Sequence, residues 1–400
     1  MTAEQEILLS LLRAQLTGTV AKLPSDVSPD WTALMRESMQ QTVALTAFDA
    51  VSKATALPED IKVAWRQKAF ITLANNSRLN AAQTALVHLL EQRQIPYVII
   101  KGTVSAYHYP HPELRTLGDI DFFVEPSYVQ ETAELLVENG YEQRESDHSC
   151  HIGFEKGAVG LEMHFAFTGM EDPKVGPAIR AYLADMMRKP KRLESFDSGV
   201  TPFDAPTHDR HGLLMLLHMQ QHLLNEGMGL RHLCDWAAFV HRTADKPFWD
   251  EKLLPLLEAI GLKRFAAAMT KMCHLYLGTR CPVWAEDVSK DVCAGLMQDI
   301  LDGGNFGRKD KRRVYSGRMI SQRNGGKWRS LWDALHRSTA DMHPIVRKIK
   351  PLHPLLDGYR ACRYLVLVAC KRRPTFEAYA PQVDERKNLY AALHIFETKE

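Results

Sequence analysis

The spacing of apolar positions changes twice along the chain. Over residues 1–94 it is helical. Ile7, Leu8, Leu11, Leu12 and Leu16 fall on one face, with Leu12 four residues after Leu8 and Leu16 four after Leu12. Thr2 is placed to cap that helix. A Pro-, Asp- and Ser-rich stretch at 24–30 predicts a loop. A later pattern over 63–94, with Leu79, Ala82, Leu86, Leu89 and Leu90, predicts the last helix of this region.

The texture then turns to short β-branched runs. Residues 95–100 read Ile-Pro-Tyr-Val-Ile-Ile and stop at Lys101-Gly102, a buried strand. A short helix is expected over 103–109, and Pro110, His111 and Pro112 force a loop. Residues 119–124 predict a second strand. Ser127 is expected to cap a helix that runs to Asn139 and stops at Gly140. Residues 151–154 and 159–165, around Glu155-Lys156-Gly157, predict a hairpin. From about residue 172 the helical spacing returns, over 211–225, 229–242 and 249–278, and a late apolar segment stops at Lys371-Arg372-Arg373-Pro374. The pattern predicts an α+β protein whose small mixed sheet lies between helical N- and C-terminal regions. The expected division is a helical region 1–94, an α/β core 95–170, a helical domain 171–300 and a basic helical region 301–400.

Composition narrows the class. At 45% hydrophobic and 24% charged residues, the chain has ample core material, which excludes wholesale disorder. The longest apolar run, 364–370, has seven residues, against roughly 20 for a membrane span, so no membrane partner is expected. Glu4 and Glu6 stand where a secretory signal needs basic residues. The seven cysteines form no CxxC pair and read as free thiols, which points to the reducing cytoplasm. Residues 308–373 hold 18 Lys/Arg against four Asp, a local +14 that leaves −12 for the rest of a chain of net +2. Solvated helix faces are the plain reading, and a nucleic-acid surface is the sharper one.

The chemistry concentrates in the second strand, Gly118-Asp119-Ile120-Asp121-Phe122-Phe123-Val124. Alternation puts Asp119 and Asp121 on one face and Ile120, Phe122 and Val124 on the other. Adjacent carboxylates raise each other's pKa unless a cation compensates, and a divalent metal with oxygen ligands does so most simply. Glu162 and His164 share a face of the later strand, opposite Leu161, Met163 and Phe165. Lys101, Gly102 and Thr103 stand where a strand gives way to a helix, a place suited to phosphate. Arg115 is four residues before Asp119 and could clamp phosphate with both its arms.

These motifs, in this order, resemble the nucleotidyltransferase fold of the DNA polymerase β superfamily, and more closely its uncharacterised nucleotidyltransferase family. The matching features are Lys101-Gly102, Arg115, the Gly118 to Asp121 run, Glu162-x-His164 and the helical segment from Gly229 to Trp236. The similarity covers roughly residues 70–245. It departs from the wider superfamily in the long gap from Gly102 to Asp119 and in having Glu162 where Asp is commoner. The resemblance implies transfer of a nucleoside monophosphate from ATP or another NTP, with pyrophosphate leaving. Asp119, Asp121 and Glu162 would then hold Mg²⁺ or Mn²⁺, with Glu162 sharing a metal or taking the acceptor's proton. Lys101, Gly102, Thr103 and Arg115 would bind phosphate, with His164 and Arg231 in support.

Other patterns read more plainly. His218-x-x-x-His222 has the spacing of helical zinc ligands but lacks the Glu of HExxH, and reads as packing. Arg231 and Asp235 read as an intrahelical ion pair, with Arg231 alternatively turned into the cleft. No cysteine has a base partner to make it a nucleophile. Three functions compete: transfer to a small molecule or protein, transfer to RNA held by 308–373, and a non-catalytic nucleotide-binding module.

Overall fold

The computed structural model describes residues 1–23, 29–144, 150–194, 200–310, 353–370 and 380–393. The loop expected at 24–30 and the basic stretch 308–373 lie largely outside the described residues, as does the helix stop at 371–374.

Thr2 caps helix α1 (Ala3–Thr17) through a full capping box with Gln5, as expected from the sequence. Its buried stripe, Leu8, Leu11 and Leu12, lies in a core with partners both nearby and far along the chain. Helices α2 (Trp31–Gln40) and α3 (Ala44–Ala54) pack on it. So do α9 (Leu230–Thr243) and α11 (Lys263–Leu277). One apolar core therefore runs from Ile7 to Leu393 and takes in α8 (His208–Leu224), α10 (Leu254–Ala259) and α12 (Lys290–Gly303). Arg13 on α1 donates to the carbonyls of Leu275 and Tyr276 at the end of α11. The N-terminal helices thus close on α9 and α11 as well as on one another.

A second apolar core belongs to a five-stranded mixed sheet of order β1-β2-β5-β4-β3. The strands are β1 (Val98–Ile99), β2 (Ile120–Phe123), β3 (Glu142–Gln143), β4 (His151–Lys156) and β5 (Val159–His164). The hairpin β4–β5 forms where alternation places it. The first strand is shorter than expected, because Ile95 and Tyr97 are buried without pairing in the sheet. Helix α4 (Glu59–Gln92) serves both cores: Trp65 is in the first, and Leu79, Leu86, Val87 and Leu90 are in the second. At 34 residues it spans about 50 Å at 1.5 Å per residue.

Two local expectations differ from the fold. Helix α6 (Val129–Glu138) starts after a 3₁₀ turn at Pro126–Tyr128 and has no side-chain cap, so Ser127 does not cap it. Within the stretch read as helical after residue 172, only α7 (Gly176–Leu183) precedes a small antiparallel pair, β6 (Lys191–Leu193) and β7 (Phe203–Ala205). These strands are only three residues long, too short for alternation to stand out. No helix among the described residues is long and apolar enough to cross a membrane. Past residue 352 the described helices are α13 (His353–Ala369) and α14 (Ala380–Ala391). Arg386 of α14 reaches Asp299 of α12.

Candidate active site

The parallel register of β2 and β5 sets Asp121 directly beside Glu162 and Phe123 beside His164. On the far face Ile120, Phe122, Leu161 and Met163 enter the sheet core. On the near face the polar side chains converge. Lys101, just past β1, puts its Nζ 2.6 Å from Asp121 Oδ1 and 3.9 Å from Glu162 Oε2. His164 Nε2 lies 3.0 Å from the same Asp121 oxygen and 3.4 Å from Glu162. His151, on β4, adds a contact to Glu162 Oε1 at 3.7 Å.

The charges on this face are unevenly balanced. Burial works against ionisation of Asp121, but Lys101 and His164 outweigh it and hold the carboxylate far below its usual range. Lys101 is itself held charged: burial opposes this, and Asp121 and Glu162 more than offset it. Asp119 has no ion pair or hydrogen bond of this kind among the described residues, and Lys101 and Arg231 act on it only weakly. Burial, then Asp121 and Glu162, push its carboxyl up to about 7. The face thus carries three acids and one ammonium in close quarters.

The phosphate-facing residues of the sequence reading divide. Gly102 lines the cleft with a φ of +51°, a left-handed conformation that needs glycine. Helix α5 (Thr103–Ala106) begins there and has four residues. The Thr103 hydroxyl turns away from the cleft and donates to Gln83 of α4 at 2.8 Å, in a buried contact. Arg115 is also buried and fully engaged. Its Nε and Nη2 donate to the two oxygens of Asp235 at 2.9 and 2.7 Å, and Nη1 donates to the carbonyl of Thr116. The Tyr109 hydroxyl completes the set on Asp235 at 2.8 Å. Asp235 therefore pairs across 120 residues with Arg115 and not along its own helix with Arg231.

That arrangement leaves Arg231 to the cleft. Its Nε has no hydrogen-bond partner among the described residues. Its Nη1 lies 3.5 Å from where a side chain at Gly118 would begin, and its guanidinium sits 5.8 Å from the Phe306 ring centre. Burial and the nearby Arg115 lower its pKa, while Asp235 and Asp119 act the other way. The cleft, about 760 Å³, thus has two walls. The sheet wall carries Lys101, Asp119, Asp121, Glu162 and His164. The helical wall carries His218 and His222 of α8 and Arg231 and His232 of α9, under Phe306. Gly229 makes this closure: a Cβ there would stand 2.7 Å from Asn305, so only glycine lets the 305–307 turn come so near.

Sequence reasoning singled out neither His151 nor His232 nor Phe306. His151 had a signal, since in a hairpin the residue pairing with His164 is fixed by the turn, and that residue is His151. His232 and Phe306 had none, because tertiary closure alone brings them in.

Among known proteins, the family described as uncharacterised nucleotidyltransferase matches the chain over residues 28–278. No curated protein gives a match.

Proposed function

With more than half of its length matched, the chain belongs to the uncharacterised nucleotidyltransferase family, and from that premise we propose that it is a metal-dependent nucleotidyltransferase, moving a nucleoside monophosphate from an NTP to a hydroxyl-bearing acceptor. The observation that carries this reading is the register of β2 against β5, which brings Asp121 and Glu162 side by side next to Asp119.

The donor set fits a divalent cation. Asp119 is pushed up to about 7 by burial beside two further carboxylates, a crowding of like charge that Mg²⁺ or Mn²⁺ relieves. Asp119, Asp121 and Glu162 would hold the ion. Bound there, it supplies charge neutralisation at the reacting phosphate.

The chain's own residues do the rest. Glu162 is more open than Asp121, with 29% of its side-chain surface exposed against 5%, so an incoming hydroxyl meets it first. As the acceptor oxygen bonds to the α-phosphorus, its proton passes to Glu162. The bond from that phosphorus to the bridging oxygen breaks, and pyrophosphate departs with the electron pair. Lys101 on one wall and Arg231 on the other offset the charge that builds on the leaving group. Arg231 takes the phosphate clamp that Arg115, held by Asp235, does not supply. Gly102 lets the triphosphate approach the backbone. Thr103 serves the scaffold through Gln83.

The test is thermal stability with each of the four NTPs, with and without Mg²⁺ or Mn²⁺, and Asp119→Asn/Asp121→Asn as control. An NTP at 100 times its Kd stabilises by about 2.7 kcal/mol. A metal-dependent rise with one NTP, lost in the control, is expected. An unchanged melting temperature with every NTP and either metal would sink the reading.

A further inference from the structure

Three histidines converge on the helical wall, apart from the acids. His218 and His222 are one turn apart on α8, and His232 comes from the first turn of α9. One ring nitrogen from each lies within 4.8 Å of the others. The His218–His222 spacing alone lacks a third ligand, and the fold supplies it. We propose that these three imidazoles bind a zinc-class transition-metal ion whose fourth position opens into the cleft.

The donor chemistry selects the ion. Three imidazoles suit zinc and its neighbours, whereas Mg²⁺ and Ca²⁺ take oxygen ligands. Three protein ligands plus an open position is the pattern of reactive zinc sites, while closed structural sites use four.

The neighbours of each ring fix where its proton sits. His222 Nδ1 faces Glu226 Oε2 at 3.4 Å. It carries the proton and leaves the Nε2 lone pair turned inward, as a carboxylate does for a zinc-bound histidine. His222 Nε2 lies 2.8 Å from His218 Nε2, so in the ion-free chain His218 donates its Nε2 proton to His222. On binding, that proton moves to His218 Nδ1, and none need leave. Two Zn–N bonds in tetrahedral array separate the nitrogens by about 3.3 Å, a small opening from the 2.8 Å observed. His232 Nε2 is buried without a partner among the described residues. Its Nδ1 has only a long 3.4 Å contact from the Gly229 N–H. An ion on Nε2 gives that atom a partner, shifts its proton to Nδ1 and gives up the long contact.

The cover of the site is strained. Phe306 holds a left-handed backbone, φ 56° and ψ 39°, a conformation that bulky residues keep only where the surroundings impose it. Its ring lies 4.7 Å from His222 and 5.5 Å from His232. Arg231, on the same ring, opposes a bare cation. The site therefore takes the ion together with an anionic fourth ligand, hydroxide or an anionic group of the bound molecule. None of this depends on the role given to the acids.

The test is a Co²⁺ titration of the full chain stripped by chelator, with Zn²⁺ as competitor. We expect one equivalent bound, with the visible absorption of tetrahedral cobalt, displaced by Zn²⁺. The band is lost in His222→Ala and in His232→Asn, each checked for folding, and is kept in Asp119→Asn/Asp121→Asn. In Glu226→Gln it persists with affinity lower by about 10–100-fold. X-ray absorption of the zinc-loaded wild type needs no variant and should show three imidazoles. The proposal is overturned by no band, by a band that survives both histidine variants, or by a shell of two imidazoles and a carboxylate, which would assign the ion to His151, Glu162 and His164.

Discussion

The two walls of the cleft solve opposite electrostatic problems. The sheet wall concentrates negative charge: Asp121 is held ionised by Lys101 and His164, while Asp119 is left with its carboxyl pushed up to about 7. The helical wall suppresses charge on two of its rings: burial holds His218 and His232 neutral, and Arg231 Nε has no hydrogen-bond partner among the described residues. The difference lies in how each wall is made. Strand pairing sets like groups side by side whatever their charge, whereas the helices draw theirs from separate turns and bury them against one another and Phe306.

The strongest way to break the comparison is to cut the link between the walls. Asp235→Ala leaves Arg115 buried without its carboxylate, and about 3–5 kcal/mol of stability should be lost by chemical denaturation. Arg115→Met/Asp235→Leu should recover most of it. A loss under about 1 kcal/mol for Asp235→Ala would mean that the walls are not joined there.

A smaller effect sharpens the helical side. Burial lowers His211 of α8 to about 3. Below about pH 6.5 the unfolded chain takes up a proton that the fold refuses, so stability is present above that pH and lost as pH falls. His211→Leu should remove roughly 1.4 kcal/mol per pH unit from the slope between pH 6 and 4, read from urea midpoints. A slope identical to wild type would show that His211 is charged in the fold.

The smallest effect concerns the sheet side. Thr103→Val removes a buried hydroxyl from Gln83 and should cost about 1 kcal/mol, with NTP affinity unchanged by calorimetry. A tenfold loss of affinity would return Thr103 to the phosphate.

The sheet wall was legible in the sequence and the helical wall only in pieces, His218-x-x-x-His222 and Arg231, for the same reason. Asp119, Asp121, Glu162 and His164 share a face because side chains alternate along a strand, a rule that operates over two residues. The match of Asp121 to Glu162 needed only the two strands to be parallel neighbours. Arg115 and Asp235, by contrast, are 120 residues apart, and periodicity carries no information at that distance. Local spacing offered Arg231 to Asp235, and a better-placed guanidinium took it. The α+β class and the hairpin were readable from the change of period. The short strands β6 and β7 were not, since three residues are too few to establish an alternation.

The docking of α1 on α11 carries a consequence for the making of the protein. The apolar stripe of Leu8, Leu11 and Leu12 leaves the ribosome well before α11, which ends at Leu277. At 5–20 residues per second, roughly 10–50 s of translation separate the two. Through that interval α2 and α3 can already pack on α1, but the part of its face that α9 and α11 cover has no native partner yet, which makes the nascent chain a client for a chaperone that shields that part until they arrive.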